Sequence, residues 1–413
     1  MVFKSKTIIF QGSSVLLTLL ALILFSPNAF STVNTYGYFS VNYEDTGEEP
    51  GGGNPVGEFS FPHLNLMMQS QLSDQFRIYL NFSGDGAEML EVRNYWGEYV
   101  YRDYLKFRAG KIYRPFDLFN EKLDAVPTYL GIEPPEIFDK DHLMLPRTGE
   151  FMVFGNYFLQ GNPLKYSLMT GNKEVIDSDK SLSWDLNYNM GDRFIVGASG
   201  YYSGKASVIG DPGDLPKGGI LPWMDSDSYS VIGGYAQARW NKLTVQAAFW
   251  TSPHDAVRNA DRVLELLDPA TGAGLNQTQI DRFLLDDTQP ATLSNIDTNG
   301  DYTVNTFYLR FGYAIPGGTI PAIKWELIPF FFWDYYENPE TIAEKDFGGD
   351  NEAGVSSDGK FDKLTLGVSI KPTDDIALKI DTSSHMYNWY NANGEEESTS
   401  YQEIRIDLSF FFK

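Results

Sequence analysis

Hydrophobicity with a period of two, interrupted by connections that are alternately short and long, constrains this chain more than any other feature. In "QFRIYLNFSG", Phe76, Ile78, Leu80 and Phe82 alternate with Arg77, Tyr79, Asn81 and Ser83. In "SLSWDLNYNM", Leu182, Trp184, Leu186 and Tyr188 alternate with Ser183, Asp185, Asn187 and Asn189, and "DKLTLGVSIK", "DIALKIDTSS" and the terminal "EIRIDLSFFFK" repeat the pattern. Each segment reads as a strand with one apolar and one polar face.

Turn chemistry marks the short connections at 72–75, 101–104, 160–163, 190–193, 240–242, 315–319 and 372–375. Between them lie longer polar stretches, near 45–58, 84–90, 114–149, 173–180, 204–228, 251–302, 336–360 and 385–400. This predicts about 16 strands between Tyr36 and Phe412, with both chain ends on the short-turn side. A soluble sandwich has no reason to alternate its connections so regularly. A barrel in the outer membrane does, because short turns lie in the periplasm and long loops face outward. A sheet in hydrocarbon must also close, since an open edge would leave backbone groups without partners. The expected fold is therefore all-β, a transmembrane antiparallel β-barrel occupying 32–413, in which residues 36–44 pair with the last strand.

Residues 1–31 read as a signal peptide: Lys4 and Lys6, an apolar run from Val15 to Phe25, then Ala29 and Ser31 at the small positions of a cleavage site. The formal charge is −23, and −25 without those two lysines, which argues against nucleic acid as a partner. The absence of cysteine excludes disulfides, thiolate metal sites and a covalently attached haem, and no cofactor is expected. With 29 Phe, 25 Tyr, 8 Trp and 38 Gly, the composition suits an aromatic-girdled barrel.

"LKFRAGKIYRPFDLFNE" (105–121), the long segment after it and "LMLPRTGEFMVFGNY" together resemble Gram-negative outer-membrane porins of the sixteen-stranded family that includes general and phosphate-selective porins. Arg108, Gly110, Lys111, Pro115 and Phe116 carry the likeness most sharply, with the terminal strand. The resemblance implies a homotrimer in the bacterial cell outer membrane, allowing passive diffusion of small hydrophilic solutes. It also implies that 114–149 folds into the lumen as a constriction. Lysine-rich pore loops are not evident, so phosphate specificity is not implied. A strand ending in phenylalanine resembles the signal read by the barrel-assembly machinery, from which Lys413 departs by one residue.

With the apolar faces on lipid, the alternate residues line the lumen. Arg77, Lys106, Arg108, Lys165, Arg239, Arg310, Lys324, Lys363, Lys371, Lys379 and Arg405 form the basic set. Glu98, Asp185, Glu326, Asp381, Glu403 and Asp407 form the acidic one, with cross-strand pairing of the two sets as the alternative to a basic wall. Most remaining acid falls in loops, including Glu44, Asp45, Glu48, Glu49, Asp346, Asp350, Glu352 and Glu395 to Glu397, where lipopolysaccharide is the expected neighbour. The segment 114–149 carries Asp117, Glu121, Asp124, Glu133, Glu136, Asp139 and Asp141 against Arg114, Lys122, Lys140 and Arg147. Carboxylates facing the basic wall predict a transverse field, and Arg108, Arg310 and Arg405 are expected to carry a mild anion preference.

Other signals are fainter. Asp297, Asn299 and Asp301 begin a calcium-loop pattern, but Tyr302 and Tyr308 stand where an EF-hand needs glycine and glutamate, which favours a polar loop tip. "DAVRNADRVLELL" (255–267) predicts a helix on the rim or over the mouth. None of His63, His142, His254 and His385 falls on an expected element with a serine nucleophile or a second metal-spaced ligand, so an outer-membrane enzyme is the remote alternative. A barrel sheathing an electron-transfer or secretion partner is the other, and it requires a lumen filled by a second protein.

Overall fold

The computed structural model describes residues 33–413 except 47–56, 85–90, 124, 126–129, 139–144, 172–178, 192, 208–218, 269–274, 276, 341–358 and 391–395. Sixteen long strands close into one antiparallel barrel: β1 (Val33–Thr46), β2 (Glu58–Gln71), β3 (Phe76–Gly84), β4 (Glu91–Arg102), β5 (Leu105–Tyr113), β6 (Thr148–Leu159), β7 (Asn162–Gly171), β8 (Ser181–Met190), β9 (Phe194–Tyr202), β11 (Met224–Trp240), β12 (Leu243–Arg258), β13 (Tyr302–Tyr313), β14 (Glu326–Glu337), β15 (Lys360–Thr373), β16 (Ile376–Tyr390) and β17 (Glu396–Phe412). A two-residue piece, β10 (Ala206–Ser207), pairs with the rim of β11. Each long strand pairs with its sequence neighbours, and β1 meets β17 from Gly37↔Phe412 to Thr46↔Glu403 to close the ring.

Burial alternates along the strands with the sequence pattern. On β13, Thr306, Tyr308 and Arg310 are buried inward, while Phe307, Leu309 and Phe311 face out. On β17, Glu403, Asp407 and Ser409 are enclosed, and Ile404 is exposed. The outer wall carries exposed Leu182, Leu186, Ile232, Phe249 and Leu366, a contiguous apolar belt that water would penalise and lipid accepts. Aromatic pairs such as Phe39–Phe410, stacked at 4.7 Å, and Phe76–Tyr99, at 5.0 Å, lie at the short-turn rim. No described helix is long and apolar enough to cross a membrane.

Three features depart from the sequence expectation. The connection placed at 315–319 runs from Ala314 to Trp325, so Lys324 sits in an exposed turn instead of on the wall. β12 continues to Arg258, and the helix predicted over 255–267 is reduced to α1 (Ala260–Leu266), capped by the Asn259 side chain accepting from the Asp261 and Arg262 amides. The final hairpin extends to Tyr390 and Glu396, well into the loop expected at 385–400. Strands β11, β12, β16 and β17, of 15 to 17 residues, exceed the ~9–11 that cross a bilayer and project beyond it. The signal-peptide residues and the acids at 48, 49, 346, 350, 352 and 395 lie outside the described residues.

Short turns hold the periplasmic rim. Gln160 and Gly161, with φ of 51° and 82°, form a two-residue hairpin loop with both central residues left-handed, which matches the strand twist. Leu366→Arg, on the lipid face, is expected to cost about 2–4 kcal/mol of folding stability in vesicles, and Asn189→Arg, on the inner face, clearly less. Denaturant titration in lipid vesicles measures both; equal losses would contradict this assignment of faces.

Candidate functional site: the lumen and its inward loop

The segment between β5 and β6 runs inside the barrel. At its base Arg114, fully buried, donates to the Pro146 and Thr148 carbonyls at 3.1 and 2.9 Å and to Ser183 Oγ at 2.6 Å. Asn120 Nδ2 donates to the Arg114 and Arg147 carbonyls at 2.7 and 3.1 Å, tying the two legs together. Further in, Phe116 packs on Trp250 at 4.6 Å and Phe119 edge-on to Tyr308 at 5.6 Å. These rings belong to one apolar cluster with Tyr229, Tyr235, Trp223 and Val263, which occupies the lumen beside β11–β13.

The tip of the loop is held by cations from four strands. Arg310 donates to the Glu133 carbonyl at 3.1 Å, Lys379 to the Gly131 carbonyl at 2.6 Å, and Lys363 to Glu136 at 3.3 Å. Lys363 and Arg405 both pair with the Glu133 carboxylate. Gly131 has φ of 78° and lies against the Phe332 ring where a Cβ would fall, so only glycine fits this approach.

Every basic residue expected on the lumen wall, Lys324 excepted, lies on the inward register of its strand, but most are neutralised there. Arg108 pairs with Glu98 at 2.7 Å and is sandwiched by Trp96 and Phe154, at 3.9 and 4.7 Å. Arg77 meets the same Glu98 at 3.7 Å. Arg310 pairs with Asp334 at 3.2 Å, and Arg405 with Glu44 at 3.1 Å and with Glu403. Glu44, read as a loop acid, therefore lies on β1 facing inward. Lys379 is opposite Asp407, and Lys371 opposite Glu326. The three arginines expected to act on solutes are thus the ones most fully paired. Lys106, Lys122, Lys165, Arg239 and Lys371 make no ion pair among the described residues, Lys371 lying opposite Glu326 in register only; Lys106 lies 6.0 Å from the Phe154 ring. Asp124, Asp139, Lys140 and Asp141 fall outside the described residues.

On the other side of the loop a cavity of about 340 Å³ opens between residues 115–122 and strands β5–β9 and β11. Two of its carboxylates are engaged: Asp185 accepts from Ser199 at 2.6 Å, Tyr235 at 2.8 Å and Asn187 at 3.0 Å, and Asp117 from the Tyr308 hydroxyl at 2.7 Å. Burial pushes the Asp117 carboxyl up to about 7, against the lowering effect of the Tyr308 hydroxyl. Partial withdrawal from bulk water inside the lumen raises that of Glu121 and lowers the Lys122 ammonium, while both side chains keep surface open to the cavity.

His254 was not expected to share an element with a serine; it does. With β12 extended, Ser252 Oγ lies 3.1 Å from His254 Nε2, and Asp227 of β11 lies 2.8 Å from Nδ1. The ring is stacked between Tyr229 at 4.6 Å and Tyr302 at 4.1 Å, and Ser252 is fully enclosed. The trio links β11 and β12 as a polar pin, with Tyr302 of β13 stacked on its ring. The expected connection at 251–302 hid it by ending the strand before Ser252, although Pro253 fits within the strand. Its missing N–H falls where the β11–β12 ladder has no pairs, between Tyr229↔His254 and Ile232↔Thr251.

The Asp297 side chain accepts from the Asn299 amide at 3.0 Å and Asn299 from the Asp301 amide at 3.2 Å, while Asp301 accepts from the Ala256 amide at 3.1 Å. These oxygens serve successive loop turns. Among the described residues, no group of three or more carboxylate or imidazole side chains is arranged to hold a metal ion.

No protein-family model matches the sequence, and neither does any curated protein. Solved structures do match along nearly the whole chain. An anion-selective porin from Comamonas acidovorans has 11% identity and a TM-score of 0.59, covering 92% of this chain and 100% of that one. This is the fold of the sixteen-stranded outer-membrane porins. OmpT, an outer membrane protein of Vibrio cholerae in trimer form, is similar at 11% identity and a TM-score of 0.54, covering 92% and 99%. Salmonella typhi OmpF in complex with daunomycin is similar at 12% and 0.53, covering 93% and 99%.

Glu133→Gln leaves Lys363 and Arg405 without their shared loop partner. It is expected to lower unfolding stability in detergent by about 1–3 kcal/mol, less than a fully buried pair because Glu133 keeps contact with water. A thermal shift within error of wild type would show that these contacts do not hold the loop. A second expectation concerns Asp117. The folded carboxyl keeps its proton up to about pH 7, whereas the unfolded one releases it near pH 4. The folded state therefore binds more protons in that window, and stability falls as pH rises through it. Asp117→Asn should remove this slope, as thermal unfolding at pH 5 and pH 8 would reveal.

Proposed function

We propose that the protein is a porin of the bacterial outer membrane, a water-filled channel for passive diffusion of small hydrophilic solutes with a mild preference for anions. The observation that carries this reading is the loop between β5 and β6. It lies inside the lumen and is tied to four strands by Arg310, Lys363, Lys379 and Arg405, so the chain narrows its own bore. A barrel built to sheath a second protein would leave that space clear. The enclosure of Ser252 and His254 likewise disfavours an enzyme.

The anion preference rests on cations without ion pairs among the described residues, chiefly Lys106, Lys122, Lys165 and Arg239, since a basic lining lowers the barrier to anions. Paired arginines contribute little net field. The likeness to an anion-selective porin supports the sign, and the trimer form of OmpT supports a homotrimer. We also assign residues 1–31 as a signal peptide, the outer belt to lipid and lipopolysaccharide, and the terminal Phe410 and Phe412 to recognition by the barrel-assembly machinery during biogenesis.

Reversal potentials in planar bilayers under a salt gradient test this. The wild-type channel should favour chloride over potassium, and Lys122→Gln with Lys165→Gln should move the ratio toward unity. Arg310→Gln should move it less. A cation preference in wild type, or a larger effect from Arg310, would contradict the assignment.

A further inference from the structure

The cavity of about 340 Å³ beside the inward loop is of a size that holds a small organic molecule. Its wall is divided. Pro115, Leu118, Met152, Phe154 and Ile195 form an apolar shelf, while Lys122 and Lys165 present ammonium groups that are exposed and make no ion pair or hydrogen bond through their side chains among the described residues. Asn156, Asn187 and Asn189 add neutral polar groups.

The charges do not cancel toward the cavity. Asp185 is saturated by Ser199, Tyr235 and Asn187, and Asp117 is held by Tyr308, so both carboxylates are engaged with the wall. Arg108 is engaged by Glu98. Toward the space, Glu121 and Asp185, whose charge its neutral donors stabilise without cancelling, stand against Lys122 and Lys165, with Arg239 close enough to act on Lys122. Three cations thus face two carboxylates, Asp117 keeping its proton up to about pH 7. A bare inorganic anion would satisfy the lysines but leave the shelf wet, and a neutral apolar solute would leave the lysines without a partner.

We propose that this chamber is a binding site for small organic carboxylates with an apolar body, the carboxylate on Lys122 and Lys165 and the body against Phe154 and its neighbours. The proposal deepens the channel reading by naming the solute class, and it rests on that reading only for its physiological purpose. Nothing in the sequence pattern pointed here, because Lys122 lies on the loop and Lys165 on β7. Only the inward course of the loop brings them to one space.

The test is equilibrium binding to the detergent-solubilised barrel, read by isothermal titration with benzoate, acetate, benzyl alcohol, phenylalanine and inorganic phosphate. Benzoate should bind about tenfold or more tightly than each of the others, a difference of ~1.4 kcal/mol. Lys165→Gln, an exposed position, should weaken benzoate about tenfold. Phe154→Ala should weaken benzoate while leaving acetate unchanged. Heat-modifiable electrophoretic mobility checks that each variant is folded. Acetate or phosphate binding as tightly as benzoate would overturn the role of the shelf. Phenylalanine binding equally would replace the anion by a zwitterion, and unchanged benzoate affinity in folded Lys165→Gln would also overturn the proposal. Because binding is read without a bilayer, a barrel that binds benzoate but passes no ions sinks the channel reading alone. One that conducts without binding sinks this one alone.

Discussion

A backbone amide in hydrocarbon has no water to bond, and each unpaired one costs several kcal/mol. Everything else in this structure follows from meeting that demand with strands. The sheet must return to its own first strand, which the β1–β17 ladder does across ten residue pairs. Closure leaves two surfaces with opposite rules. The outside accepts only apolar side chains, so the polar half of every alternating strand is confined to the lumen.

Confinement explains the charge economy inside. Cations and carboxylates that cannot face lipid are forced within reach of one another, and removing them from bulk water favours pairing wherever geometry allows it. Glu98 serves both Arg77 and Arg108, and Arg405 is shared among Glu44, Glu403 and Glu133. The inward loop is part of this settlement. It brings Glu133 and Glu136 to cations on β13, β15 and β17, and fills the other side of the lumen with Phe116 and Phe119. The polar surface left to a solute is therefore much smaller than the full inward set.

Strand number, the alternation of turns and loops, the closing pair of strands and, except on β4, the inside–outside register were legible, because each depends on residues one or two apart or on simple spacing. On β4, "EVRNYWGEYV" left the register ambiguous, and the ladder there carries an irregularity. The inward course of 114–147 was legible only through resemblance. Misreadings arose where local rules met an exception. The connection expected at 251–302 cuts β12 short, though the strand runs on to Arg258 with the missing N–H of Pro253 at a gap in the ladder. The apolar spacing in "DAVRN" suited a helix as well as the end of a strand whose inner face is buried under a cap. Lys324 fell on the wall only because a twelve-residue turn was read as five.

By itself the sequence determined that this chain forms a closed barrel with a polar bore, since period-two hydrophobicity over sixteen segments admits no other way to satisfy backbone and side chains together in lipid. Which bore-lining charges remain available was decided by the tertiary structure alone. That outcome depends on distances between residues up to 361 positions apart in the chain, such as Glu44 and Arg405, and on where a loop's carboxylates come to rest. Alternation assigns a face to each side chain; only the folded lumen assigns it a partner.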